Sequence, residues 1–232
     1  LLNQFQHVEI FKRFAGSVQK IVDAVKVYRL TDENQTLDFI DFEKVPYLKG
    51  SEYLPILINA IRNKKVVHIV YRAFYSEKDH HHDIHPYLLK EYRNRWYLTG
   101  FHDYFREIRT YGLDRIVSIN EKSDKKYIDT NFSPEQFFKN TIGIFSPPEE
   151  PPTLVLQFKK ETARYVLTQP IHESQKVIDE NGKSITFSLQ VHPTVELIQM
   201  ILGWGSEVKV LEPDSLKNDI LQKAQEILQK YK

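Results

Sequence analysis

Cysteine is absent from the 232 residues, which excludes disulfides and thiolate metal sites. An excess of charge is also missing: 32 Lys and Arg stand against 31 Asp and Glu, a net charge of +1. An autonomous duplex-binding module usually carries a clear basic excess, because phosphate neutralisation supplies most of its affinity; any nucleic-acid contact here is therefore expected at a local patch. No stretch approaches the roughly 18 apolar residues that span a bilayer, and none resembles a signal peptide. These absences lead us to expect a cytoplasmic protein with no membrane partner. Catalytic signatures are missing as well. There is no Gly-rich phosphate loop, no Gly-x-Ser-x-Gly elbow, no His-Glu-x-x-His helix and no carboxylate pair in an apolar setting, so we read the chain as a non-enzyme without a cofactor.

What is present suits two globular domains: 41% apolar residues, with 13 Tyr and 14 Phe as bulky core material. Residues 5–28 place Phe11, Phe14, Ala15, Val18, Ile21, Val22 and Val25 on one helical stripe. The chain opens at Leu1 without methionine, which leads us to expect that an N-terminal piece has been removed. Ser51 reads as the N-cap of a second helix with Leu54, Leu57, Ile58 and Ile61 on its buried face. The pattern then changes. Val66–Tyr71, Ile84–Leu89, Arg95–Phe101, Glu107–Leu113 and Ile116–Ile119 have strand composition, and Glu77 to Asp83 reads as a polar tip. Several short strands after one helix suggest a small barrel.

The clearest boundary is Phe145 to Pro152, where four prolines in six residues predict an extended spacer. Beyond it the order is strand, helix, strand, strand, helix, strand, helix, with Asn181-Gly182 as a hairpin signal. That order is the split βαβ arrangement of a ferredoxin-like domain. The expected class is α+β: a helix and linker over 1–50, a β-barrel domain over 51–125, a Pro-rich linker over 126–152 and a ferredoxin-like βαββαβ domain over 153–232.

Three motifs occur in order: Ile84-His-Pro-Tyr-Leu-Leu89, Arg95-Trp-Tyr-Leu-Thr-Gly100 and Arg109-Thr-Tyr-Gly-Leu-Asp-Arg-Ile116. Together they resemble the WYL domain, named for the tripeptide found here at Trp96-Tyr97-Leu98. The ending Leu202-Gly-Trp-Gly, Glu207-Val-Lys-Val-Leu-Glu-Pro213 and a terminal amphipathic helix resembles the WCX-type extension that commonly follows it. The resemblance implies a bacterial transcription regulator whose Sm-like barrel senses a nucleotide or single-stranded nucleic acid. It also implies an extension that serves homodimerisation and signal transmission. Family members generally carry an N-terminal helix-turn-helix; residues 1–50 are too short to hold one, so duplex DNA contact is expected only through a domain not present in this chain.

Strand alternation offers a separate line of reasoning. His85, Tyr87, Arg95, Tyr97, Arg109 and Tyr111 can be assembled on one sheet face, with Trp96, Leu98, Ile108 and Leu88 turned inward. Guanidinium forks bind phosphate and tyrosines offer stacking planes, so this face suits an anionic aromatic ligand. Arg115 joins the set, with an ion pair to Asp114 as the competing role. His80-His81-His82, beside Asp79 and Asp83, reads as a solvated turn and not a metal site, because three consecutive side chains diverge. The alternative to sensing is a protein–protein assembly module without a small ligand.

Overall fold

The computed structural model describes residues 49–122 and 124–232, all within one compact unit spanning Tyr47–Lys232. The stripe expected over residues 5–28 lies outside the described residues. Lys49-Gly50 forms the turn before the first helix. Gly50, at φ 93°, takes the cap position expected of Ser51, which instead opens a single 3-10 turn, Ser51–Tyr53. Only a glycine fits there: a Cβ would lie 2.4 Å from the carbonyl carbon of Leu113. Helix α1 (Leu54–Arg62) follows, with Pro55 in its first turn and Leu57 and Ala60 fully buried.

Five antiparallel strands come next: β1 (Val66–Tyr71), β2 (His80–Tyr92), β3 (Arg95–His102), β4 (Glu107–Gly112) and β5 (Ile116–Lys122), in the sheet order β4-β3-β2-β1-β5. Arg93 and Asn94, both at positive φ, make the tight β2–β3 turn. Strand β2 serves two partners. Its start, His80 to Ile84, pairs with Tyr71 to Val67, and the rest pairs with β3. His80–His82 therefore lie within a strand, contrary to the polar tip expected there; their backbone groups are taken up by β1. The core beneath α1 gathers Val67, Ile69, Ile84, Leu98, Tyr111, Leu113 and Ile116. Each fully buried aliphatic side chain contributes about 1.5–3 kcal/mol.

The stretch expected to be a linker packs against the first sheet at several points. Tyr87 donates to the Ile128 carbonyl at 2.9 Å, Tyr127 donates to the Pro86 carbonyl at 2.8 Å, and the Tyr87 and Phe132 rings stack at 5.4 Å. A one-turn helix α2 (Pro134–Phe138), capped by Ser133, follows. Further on, Ile142 is buried in the second core, and the Ile144 amide donates to Glu196 at 3.3 Å.

The second core belongs to β6 (Thr153–Lys159), α3 (Lys160–Thr168), β7 (Lys176–Glu180), β8 (Ser184–Gln190), α4 (Val195–Trp204), β9 (Val208–Glu212) and α5 (Asp214–Lys230). Its strands are antiparallel in the order β7-β8-β6-β9. Alternation places Leu154, Leu156 and Phe158 of β6 with Ile185, Phe187 and Leu189 of β8, against α3, α4 and α5. Thr194 caps α4 by accepting the Leu197 amide hydrogen, and Gly205, at φ 57°, ends it. No helix among the described residues is long and apolar enough to cross a membrane.

Candidate functional site

Cross-strand register decides which side chains meet. Leu98 pairs with Tyr111 and Gly100 with Arg109, so Arg109 and Tyr111 stand on the inner face with Trp96 and Leu98. His85 pairs with Phe101, and Phe101 with Ile108, which puts these three on the outer face. Arg95 and Tyr97 follow the outer parity, and a bulge between Pro86 and Leu88 turns Tyr87 and Leu88 outward too. The single face expected from the sequence thus divides in two, because alternation within a strand does not fix register between strands.

On the outer face His85, 1% exposed, accepts the Ile128 amide hydrogen on Nδ1 at 3.0 Å and faces Asp103 at 3.5 Å through Nε2. Burial lowers its pKa despite Asp103. His85 and Tyr87 therefore hold residues 127–128 against the sheet. Nearby, Lys125 bridges Asp83 and Asp103, 2.6 Å from each, and His68 meets Asp83 at 2.6 Å. Burial raises the Asp83 pKa, but bonds from Lys125 and His68 outweigh it and hold the carboxyl below its ordinary range. The hydrogen bond from Lys125 lowers Asp103 as well. Neither acid is a proton donor near neutral pH. Arg95 is exposed and lies 3.5 Å from Asp114, while Tyr97 is buried.

The inner face ends where β1 and β3 finish, between the Phe74-Tyr75 and Tyr104-Phe105 loops, a place we call the mouth. Here a continuous chain of rings runs from Tyr71 to Tyr111 (5.2 Å), His82 (5.6 Å), His102 (4.9 Å) and Phe105 (4.6 Å). A guanidinium stands at each end. Arg109 lies 3.7 Å over the Phe105 ring and is bonded to Glu107; Arg115 lies 5.4 Å from Tyr71 and 5.2 Å from Phe74. Arg115 Nε also faces the Asp114 carboxylate at 3.6 Å. Between them the Tyr111 hydroxyl is buried beside the Arg109 guanidinium; burial pushes its pKa up, and Arg109 pulls the other way without offsetting it. Phe74, Tyr75, Tyr104 and Phe105 stand exposed on the two loops at the rim.

Sequence reasoning missed His82, His102 and the rim aromatics. The paired Phe74-Tyr75 and Tyr104-Phe105, one in each loop at the same end of two hairpins, were the available signal. His80 and His82 point inward and His81 outward, and no group of three or more His, Cys, Asp or Glu among the described residues could hold a metal ion.

The WYL domain model matches residues 52–121 and the WCX domain model residues 150–228. This chain is a WYL–WCX protein. The Trp96-Tyr97-Leu98 resemblance is borne out, and the candidate mouth lies wholly in the WYL domain. Among solved structures, proteasome accessory factor B/C of Arthrobacter aurescens is 16% identical with a TM-score of 0.34, covering 78% of this chain and 27% of its own. A CRISPR Cas-related protein is 16% identical with a TM-score of 0.46, covering 76% and 50% respectively. The chain thus spans about a quarter of the first and half of the second. No curated protein matches it.

Proposed function

We propose that this WYL–WCX chain is the effector-sensing and assembly portion of a bacterial transcription regulator, working in the cytoplasm and without enzymatic activity. Its effector is a nucleotide or short single-stranded nucleic acid held at the WYL mouth. In this reading the first sheet is an Sm-like barrel and the second domain is ferredoxin-like. Duplex DNA is read by a helix-turn-helix preceding these residues in a longer protein. One observation carries the reading: two guanidiniums, each against an aromatic face, flank a buried Tyr111 hydroxyl and a rim of exposed rings. Phosphate suits the guanidiniums and bases suit the rings. Within the predicted ligand set, Arg109, Tyr111 and Arg115 supply the site, while His85 and Tyr87 hold residues 127–128 on the opposite face.

The test is fluorescence anisotropy with labelled thymidine pentanucleotide at low salt. Arg109→Ala is expected to lose about tenfold in affinity, and the wild-type salt slope should correspond to about two phosphates at roughly −0.7 each. Unchanged binding in a folded Arg109→Ala variant defeats the proposal. A second reading, assembly without a ligand, is favoured by the exposed Leu221 and Leu228 of α5, by Tyr231 just past its end, and by edge strand β7, whose residues are all exposed. It predicts a homodimer by light scattering that Leu221→Asp/Leu228→Asp dissociates, with no pentanucleotide binding.

A further inference from the structure

The two imidazoles in the mouth have tautomers fixed by their neighbours. The backbone amides of Tyr104 and Phe105 both donate to His102 Nδ1, at 3.1 and 3.2 Å. A backbone N–H has no other role to take, so that nitrogen carries no proton, and neutral His102 carries its proton on Nε2. This Nε2 lies 3.0 Å from His82 Nδ1, which must therefore accept. Neutral His82 is left with its proton on Nε2, and that atom makes no hydrogen bond within the described residues. Two loop amides thus dictate, through two rings, that a half-buried imidazole beside Tyr111 and Tyr71 presents a donor.

Resting on the effector reading above, we propose that His82 donates its Nε2–H to the anionic ligand of the mouth and that the His82–His102 pair couples this contact to the Tyr104–Phe105 loop. Burial, and then His102, His80, Arg109 and His68, keep His82 neutral in the free protein. Tyr71 and Tyr111 face it as neutral rings. Burial and Arg109 likewise keep His102 neutral against Asp103, Glu107 and Asp83. A bound anion reverses the balance at His82. The His102 Nε2 proton passes to His82 Nδ1, and His102 takes one proton from solvent on Nδ1, so one proton is gained in all. His102 Nδ1–H then opposes the two amides it formerly accepted from, and the loop is released.

Nitrogen-15 NMR of the imidazoles reads the free state directly. Both rings are expected as Nε2–H tautomers; an Nδ1–H on either overturns the relay. The conservative pair His82→Gln and His82→Asn separates the two ring nitrogens, because a Gln amide reaches the Nε2 position and an Asn amide the Nδ1 position. Pentanucleotide affinity is expected to stay within about threefold in His82→Gln and to fall about tenfold in His82→Asn. Equal affinities in the two variants overturn the donor role. Hydrogen exchange tests the coupling: ligand is expected to lower protection of the Tyr104 and Phe105 amides in the wild type but not in His102→Asn. Direct covering of the loop would raise protection, and either that or no change overturns the coupling. If the wild type binds no pentanucleotide, the effector reading falls and takes the donor role with it, whereas the tautomers are judged without ligand.

Discussion

Replacing His82 with Asn should flatten the acid limb of the stability profile. Burial above all, with smaller contributions from His102, His80, Arg109 and His68 as they compete for protons, pushes the His82 pKa from 6.5 down to about 4. The native state therefore resists a proton that the unfolded chain accepts. Between pH 6.5 and pH 4 the unfolded state binds more protons, so stability falls as pH falls through that window and is unaffected above it. At about pH 5 the full shift corresponds to about 2 kcal/mol. The ring is only half-buried and solvent screens it, so about 1 kcal/mol is the working figure. Urea denaturation at about pH 7 and pH 5, for the wild type and His82→Asn, reads this as a double difference. The double difference includes the coupling of His82 to His102, His80 and His68, while the carboxylates and the remaining histidines cancel in it. A loss on acidification equal in the two proteins, within about 0.3 kcal/mol, refutes the reasoning.

Tyr87→Phe removes the bond to the Ile128 carbonyl and should cost about 1 kcal/mol in urea while leaving pentanucleotide affinity unchanged; weaker binding would return Tyr87 to the ligand set. Gly50→Ala forces a Cβ onto the Leu113 backbone at positive φ and should cost more than about 2 kcal/mol. Gly182→Ala, with nothing within 4 Å, serves as its control and should stay within about 0.5 kcal/mol. Phe158→Ala empties a site packed against Phe187 and Trp204 and should cost about 3–5 kcal/mol by calorimetry.

Local signals in the sequence were read well where the cause is local. The β-branched run at Val66–Tyr71 is β1, and Asn181-Gly182 turns β7 into β8. The closing helix expected over Pro213–Tyr231 is α5 within a residue at each end. What failed depends on a partner strand. Three histidines beside two aspartates look like a solvated tip, yet Tyr71, Val70 and Ile69 pair with them and extend β2. The assembled binding face failed for the same reason. Parity within β3 and β4 was read correctly, but the Leu98–Tyr111 pairing and the Tyr87 bulge assign those parities to opposite faces. Arg109 and Tyr111 were found by motif, and His102 could not be, since its role comes from two loop amides that any residue type supplies.

The segment between the two matched domains changes what counts as a self-sufficient piece of this protein. A fragment ending at 121 would hold nearly all of the five strands, yet it would lose Tyr127 and Ile128 and leave His85, Tyr87 and Phe101 facing water. A fragment starting at 150 would lack Ile142, and its Thr194 hydroxyl would lose the carbonyl it donates to. The two matched spans are therefore narrower than the portion that packs together. Residues 140–144 take their partners from His192, Thr194 and Glu196, some fifty residues further on, so the spacer before the second domain is placed by chain that comes after it.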